Sequence, residues 1–215
     1  MTHNVLILCA AGMLVSVYLM VGQKALFTAI RLYSAQSLLL AIVAVTMAFA
    51  EGREHLLVSA ALTVTLKGML IPWFLMRVID RIGIHREIEP YLNVPASLLV
   101  CLGLTVVGYR VSTGFPEGTQ GVTHHLIGVA LSMLLIGLFL MVTRKKAITQ
   151  ILALLTVENA VFLVVLGVTS GMPLVVELGI SFDVILAVLV LGVLVHRIVD
   201  RFESMDVSRL SKLKG

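Results

Sequence analysis

Charged side chains are scarce in this chain: they make up 13% of its residues, whereas hydrophobic residues make up 59%. A typical soluble domain is about 25% charged and about 45–50% apolar. Because hydrocarbon accepts apolar side chains and rejects charge, these departures exclude an ordinary soluble domain and predict a protein that lies within a membrane. The net charge of +4 at pH 7 is small, and the placement of basic residues explains it without a nucleic-acid partner.

Cysteine is almost absent. Cys9 and Cys101 each lie in an apolar run, outside any Cys-x-x-Cys or Cys/His spacing, so neither a disulfide framework nor a metal site is indicated. The chain also lacks GxSxG, HExxH, phosphate-binding-loop and dinucleotide-binding fingerprints. We therefore predict no covalent catalysis and no cofactor or metal bound by this chain. The doublet His124-His125 is a possible metal site, but a solvated loop is the simpler interpretation.

Long hydrophobic runs are abundant. A helix needs about 20 predominantly apolar residues to span the hydrocarbon, and seven segments meet this requirement. The N-terminus lacks the basic region of a secretory signal, so we expect the first run to be retained as a helix. No stretch between the runs is long enough to bury a core of its own. The prediction is an all-α, polytopic membrane protein of seven transmembrane helices at 4–22, 28–50, 56–79, 95–112, 124–143, 147–169 and 173–196.

Basic residues are distributed unequally between the two sides of these spans. Thirteen fall on one side and two on the other, with Lys67 inside the third span. Loops rich in lysine and arginine stay in the cytoplasm, which predicts that the N-terminus is outside and the C-terminus cytoplasmic. This topology signal is a simpler explanation than a specific anionic-lipid or nucleic-acid site. The thirteen residues are Lys24, Arg31, Arg77, Arg81, Arg86, Arg144, Lys145, Lys146, Arg197, Arg201, Arg209, Lys212 and Lys214.

Two pairs of similar segments form a weak internal repeat, here called the internal echo. Residues 77–81 (RVIDR) close the third span as 197–201 (RIVDR) close the seventh, and 33–36 in the second span resemble 155–158 in the sixth. The near agreement of the two offsets predicts a three-helix unit used twice in parallel orientation, with chance similarity as the alternative. The predicted units are an N-terminal four-helix segment at 1–123 and a C-terminal three-helix unit with a cytoplasmic tail at 124–215.

Three ionisable side chains, Lys67, Glu158 and Asp183, lie ten or eleven residues into their spans, or about 15 Å at 1.5 Å per residue. A charge at this depth costs roughly 2.5 to more than 10 kcal/mol, so it must be hidden against protein or water. We expect the three groups to form a proton path in which Lys67 biases the carboxylates. The alternative is a static pair in which Lys67 neutralises one acid and locks the bundle. We favour the path because a single pair leaves one carboxylate over.

The surroundings of these groups are polar. Pro72 has no N–H to donate to the carbonyl of Gly68, so that carbonyl is a candidate stop for water or a proton. The possible supporting polar residues are Asn159, Thr63 and Gln36.

The last three spans resemble the small three-helix K subunit of bacterial complex I. The likeness lies in a basic loop at 144–146, in Glu158-Asn159 in the middle of one helix and in Asp183 in the middle of the next. From about residue 28 onward the chain is similar to component E of hydrogenase-4, the HyfE-type subunit of group 4 hydrogenases and formate hydrogenlyases. The residues that carry this similarity are 31–37 (RLYSAQS), Lys67 with Pro72, 157–159 (VEN), 176–180 (VELGI) leading to Asp183, and the tail 205–215 (MDVSRLSKLKG).

The resemblance implies a membrane-arm subunit of a complex-I-like, energy-converting complex in the bacterial or archaeal cytoplasmic membrane. Such a complex couples electron transfer in other subunits to translocation of protons or sodium ions. Glu158 and Asp183 match the two buried glutamates of the K subunit, although Asp183 is one methylene shorter. Lys67 has no counterpart in the K subunit. In the N-terminal copy of the internal echo, Gln36 stands where Glu158 stands in the other, which argues that this half has a structural packing role.

The resemblance also implies partners. They are antiporter-like and quinone-site or anchor-type membrane subunits, peripheral hydrogenase or iron–sulfur subunits, and lipid, with nickel–iron and iron–sulfur centres held by the partners. Two other functions stay open: a purely structural assembly subunit, and a component of a cation/proton antiporter.

Overall fold

The computed structural model describes residues 2–52, 55–82, 91–114 and 121–168. Within these ranges the regular elements are helices, and they form six continuous helical segments that are long and apolar enough to cross a membrane, the third of which contains both α3 and α4. They confirm an all-α, multi-pass architecture and match the first six predicted spans. The predicted seventh span and Asp183 lie outside the described residues, so the count of seven and the orientation stay predictions. The helices are α1 Thr2–Gly22, α2 Leu26–Glu51, α3 His55–Leu62, α4 Ile71–Ile82, α5 Val94–Ser112, α6 Gly121–Thr143 and α7 Ala147–Val168.

The third span is one continuous helix whose middle is wider than an α-helix. Between α3 and α4 the segment Thr63–Leu70 is a π-helix, and the N–H of Ile71 donates to the carbonyl of Leu66, five residues back. Pro72 follows at once; it has no N–H and its ring crowds the carbonyl four residues earlier. A π-helical turn often marks a functional site, and this one contains Lys67.

Among the described helices, α2 and α6 are the most central. α2 packs against α1, the third span and α7, while α6 packs against α1, α5 and α7. Glycine allows one of these contacts to be close: a Cβ built at Gly137 of α6 would lie 2.6 Å from a methyl of Val157 on α7. Small residues of this kind let helices approach in a membrane, where hydrophobic burial gives no drive to pair.

A polar layer interrupts the apolar core at mid-span. The buried apolar residues form two clusters, and α2 and the third span each contribute to one cluster on one side of this layer and to the other cluster on the other side. On α7 the pair Glu158-Asn159 lies between apolar residues of the first cluster and apolar residues of the second. Because the layer falls on three neighbouring helices, it forms one connected polar region. Its buried polar members are Gln36, Ser37, Thr63, Lys67, Thr156, Glu158 and Asn159.

One end of the bundle, here called the basic end, carries Lys24 and the 144–146 loop. Arg144 is 6% exposed, and its Nη2 donates to the carbonyl of Val21 at 2.6 Å, in the last turn of α1. A guanidinium at a helix C-terminus satisfies carbonyls that lack an intrahelical partner. Lys145 lies over the ring of Tyr91, 4.5 Å from its centroid. Both residues therefore make contacts that stabilise the basic end.

Candidate functional site

Lys67 and Glu158 face each other in the polar layer. Nζ of Lys67 lies 3.4 Å from Oε1 of Glu158, and the two side chains are 2% and 3% exposed. The π-helix carries the lysine and α7 carries the glutamate, so the pair joins the third span to the sixth. Where the sequence left the partner of Lys67 open between two acids, the structure pairs it with Glu158.

The ring of Phe162 completes the surroundings of the lysine. Phe162 lies one turn after Glu158 on α7, and Nζ of Lys67 is 5.8 Å from the ring centroid. An aromatic face attracts a cation and also excludes water from it. Nζ of Lys67 therefore lies near both a carboxylate and an aromatic ring.

Asn159 connects α7 to α2 beside the pair. Its Nδ2 donates to Oε1 of Gln36 at 3.2 Å and to Oγ of Ser37 at 3.1 Å. Oδ1 of Asn159 and Nε2 of Gln36 are buried and have no hydrogen-bond partner among the residues that the structure describes. The cluster thus keeps one acceptor and one donor for a water or an ion in the middle of the membrane.

Ser59, Thr63 and Lys67 are spaced by four residues along the third span, and each is 2% exposed. The hydroxyl of Thr63 donates to the carbonyl of Ser59 at 2.9 Å, the usual bond of a hydroxyl to the preceding helical turn. Oγ of Ser59 is buried and has no partner within the described ranges. These residues form a narrow polar face that leads from Lys67 towards the start of α3.

The carbonyl of Gly68 is bonded to protein, although the sequence marked it as an open stop for water or a proton. Oγ of Ser34 on α2 donates to it at 2.6 Å. The hydroxyl takes the place of the N–H that Pro72 lacks. This bond also ties α2 to the π-helix one residue away from Lys67.

Other predicted residues are not part of this cluster. Nδ1 of His124 lies 3.2 Å from the carbonyl of Ser112, and the ring of His125 meets that of Tyr109 edge-on at 6.5 Å. The doublet therefore turns to two different partners. Over the part of the chain that the structure describes, no group of three His, Cys, Asp or Glu residues could hold a metal ion.

Sequence reasoning missed four residues of the site: Ser34, Ser37, Ser59 and Phe162. The signal for the first two was present, because they flank Gln36 in the polar segment 33–37. Ser59 gave none, since a serine in a spanning helix usually bonds its own backbone.

Comparison with known proteins finds relatives along the whole chain. It is 31% identical over 206 residues to a Mycobacterium tuberculosis protein named Uncharacterized protein Rv0085, and the aligned region covers 95% of this chain and 94% of that protein. It is 29% identical over 218 residues to hydrogenase-4 component E of Escherichia coli K12, with both chains covered completely. The protein of the same name from Shigella flexneri matches to the same extent. No protein-family model and no solved structure matches the chain.

Proposed function

Because the chain belongs to the family of membrane proteins that includes hydrogenase-4 component E, we propose that it is a membrane subunit of a complex-I-like, energy-converting hydrogenase complex. In this proposal Glu158 and Asp183 belong to a path for protons, or for sodium ions, across the membrane. Electron transfer and its nickel–iron and iron–sulfur centres belong to partner subunits. The observation that carries the proposal is the buried pair of Lys67 and Glu158, whose lysine lies within a π-helical segment.

The pair has two charge arrangements that differ by the position of one proton. Transfer of a proton from Nζ of Lys67 to a carboxylate oxygen of Glu158 converts an ion pair into a neutral pair, with no change in the net charge of the site. Low polarity favours the neutral pair and the attraction between the charges favours the ion pair, so the two terms oppose each other. A change of charge elsewhere on the path then selects which group holds the proton.

The neighbouring polar groups support this exchange. Asn159 and Gln36 fix the position of α7 against α2 and leave a donor and an acceptor directed at no other group in the described structure. A proton moves between fixed groups along hydrogen-bonded water, which needs such donors and acceptors at intervals. Gln36 cannot itself release a proton, so it serves the path by hydrogen bonding.

The test is Glu158→Gln in the complete complex in its native membrane. Glutamine has the shape of glutamate and can accept a hydrogen bond from Lys67, so we expect the complex to assemble. It cannot exchange a proton, so coupled translocation should fall to the order of a hundredth of the parent rate, the scale on which loss of a positioned proton-transfer group acts. Subunit content and proton uptake into inverted vesicles are measured together. Asp80→Asn, which removes an exposed carboxylate near the end of the third span and outside the polar layer, is the control.

A structural role is the second candidate, because the same pair and the bonds of Asn159 join three helices. It predicts that Glu158→Gln lowers assembly and that Lys67→Met with Glu158→Leu restores it, since an uncompensated buried charge costs roughly 3–5 kcal/mol and an apolar replacement of both partners is often neutral. An assembled Glu158→Gln complex that pumps normally contradicts the proton path. Sodium uptake by the purified subunit alone in liposomes would instead favour the antiporter alternative.

A further inference from the structure

A groove of about 610 Å³ runs between α2 and the third span, on the outer face of the helices that the structure describes. Its wall on the third span is apolar and open, with Met69 65% and Leu70 43% exposed. The hydroxyls of Ser34 and Thr65, which also line it, are bonded to backbone carbonyls. The deep part of the groove therefore offers an occupant mainly hydrocarbon contacts.

The mouth of the groove lies at the basic end and is cationic. Arg31 lines the groove and is exposed, and Trp73, 54% exposed, lines it from α4. The guanidinium of Arg77 lies 5.5 Å from the centroid of the Trp73 ring. Arginine and tryptophan together mark the depth at which lipid headgroups meet the hydrocarbon.

The two arginines start from different depths on neighbouring antiparallel helices. The bond from Ser34 to Gly68 sets the register of two antiparallel helices, and it places Arg31 level with the start of α4 and Arg77 level with Ala25. Side chains tilt towards the N-terminus of their own helix. Arg31 therefore extends towards the basic end, and Arg77 extends inwards over Trp73.

No protein group neutralises these charges within the ranges that the structure describes. Neither Arg31 nor Arg77 has a carboxylate within ion-pair distance there. Arg31 starts five residues inside α2, or about 7.5 Å from its first residue. A cation at that depth on an outward face needs a counter-charge that arrives from the membrane.

We propose that this groove binds an anionic phospholipid. Arg31 and Arg77 hold the phosphate, Trp73 contacts the glycerol region, and an acyl chain lies along Met69 and Leu70. A basic site between helices at the cytoplasmic leaflet is suited to such headgroups. A helix of another subunit fits less well, because the charge is confined to the mouth and the remaining wall gives it no polar partner.

Trp73 provides the measurement, because it is the one tryptophan of the chain. The full chain is reconstituted in phosphatidylcholine vesicles that contain phosphatidylglycerol or phosphatidylcholine with brominated acyl chains, which quench tryptophan on contact. We expect phosphatidylglycerol to be preferred roughly tenfold or more, since each basic residue near the surface contributes about one kcal/mol. Arg31→Gln with Arg77→Gln should abolish the preference while quenching by hydrocarbon persists.

The matched control is Lys24→Gln with Lys145→Gln, which removes the same charge from exposed positions at the same end but outside the groove. This control should keep the preference. Equal quenching by both lipids in the parent, a preference retained without the two arginines, or the same loss in the control would overturn the proposal. Absence of quenching by either lipid would also overturn it and indicate that protein covers the groove. If the double variant fails to fold, Arg77→Gln alone gives the same comparison at the end of the span.

Discussion

Ser34 and Pro72 act on the same acceptor, the carbonyl of Gly68. Proline removes the N–H that an α-helix would supply, and the serine hydroxyl donates in its place at 2.6 Å. We expect Ser34→Ala to lower stability by about 1 kcal/mol, a common value for one hydrogen bond, since it leaves the carbonyl without this donor. In a Pro72→Ala background the loss should be smaller, because the introduced alanine can supply an N–H. Thermal unfolding of the detergent-purified chain, read as Tm for all four combinations, gives the coupling.

Thr46→Val is the control for this cycle. Thr46 is also on α2, but its hydroxyl donates to the carbonyl of Ile42 within the same helix, so its loss leaves the ladder intact. Equal effects of Ser34→Ala with and without the proline would contradict the compensation.

Between elements, close approach depends on glycine at defined positions. A Cβ at Gly108 of α5 would lie 2.7 Å from the backbone nitrogen of Ser132 on α6, and backbone cannot move aside as a flexible side chain can. We expect Gly108→Ala to cost about 1–3 kcal/mol through overpacking, visible as a lower Tm and less monodisperse protein. Gly103→Ala, on the same helix with nothing within 4 Å of the added carbon, should leave Tm unchanged or slightly higher. Equal losses in the two variants would show that propensity, not contact with α6, is being measured.

The helices themselves were predictable, and the shape of one was not. Hydropathy locates the six described spans because a helix in hydrocarbon must be predominantly apolar over about 20 residues, whatever its helical geometry. The π-helix at Thr63–Leu70 escapes such reasoning, since α- and π-turns bury side chains of the same polarity. Pro72 indicated that one backbone hydrogen bond of the helix would be missing. The donor that replaces it is Ser34 on α2, which lies 34 residues before Gly68 in the chain. That donor is chosen by packing.

For the whole bundle, the depth of a residue in the membrane could be predicted from the sequence, but which helices contact each other could not. Counting residues from the start of a span places Lys67 and Glu158 at one level. Which helices touch depends on their order around the bundle, and the contact of α2 with α7 brings Gln36 to Asn159 across 123 residues of chain. The internal echo aligns Gln36 with Glu158, and the repeat it implies stays a prediction.

Orientation is the remaining property of the whole molecule that charge predicts and an experiment can check. With the N-terminus outside, Thr113 follows four spans and faces outward, while Lys145 follows five and faces the cytoplasm; both are exposed. In a chain whose buried Cys9 and Cys101 are replaced by alanine, Thr113→Cys should react with a membrane-impermeant maleimide on intact cells. Lys145→Cys should react only after permeabilisation. If only Lys145→Cys is labelled on intact cells, the orientation is the reverse of the predicted one. Labelling of both variants would indicate two topologies. The sixth span then ends outside, so a cytoplasmic C-terminus requires one more crossing, and a C-terminal fusion that fluoresces only in the cytoplasm tests the seventh span directly.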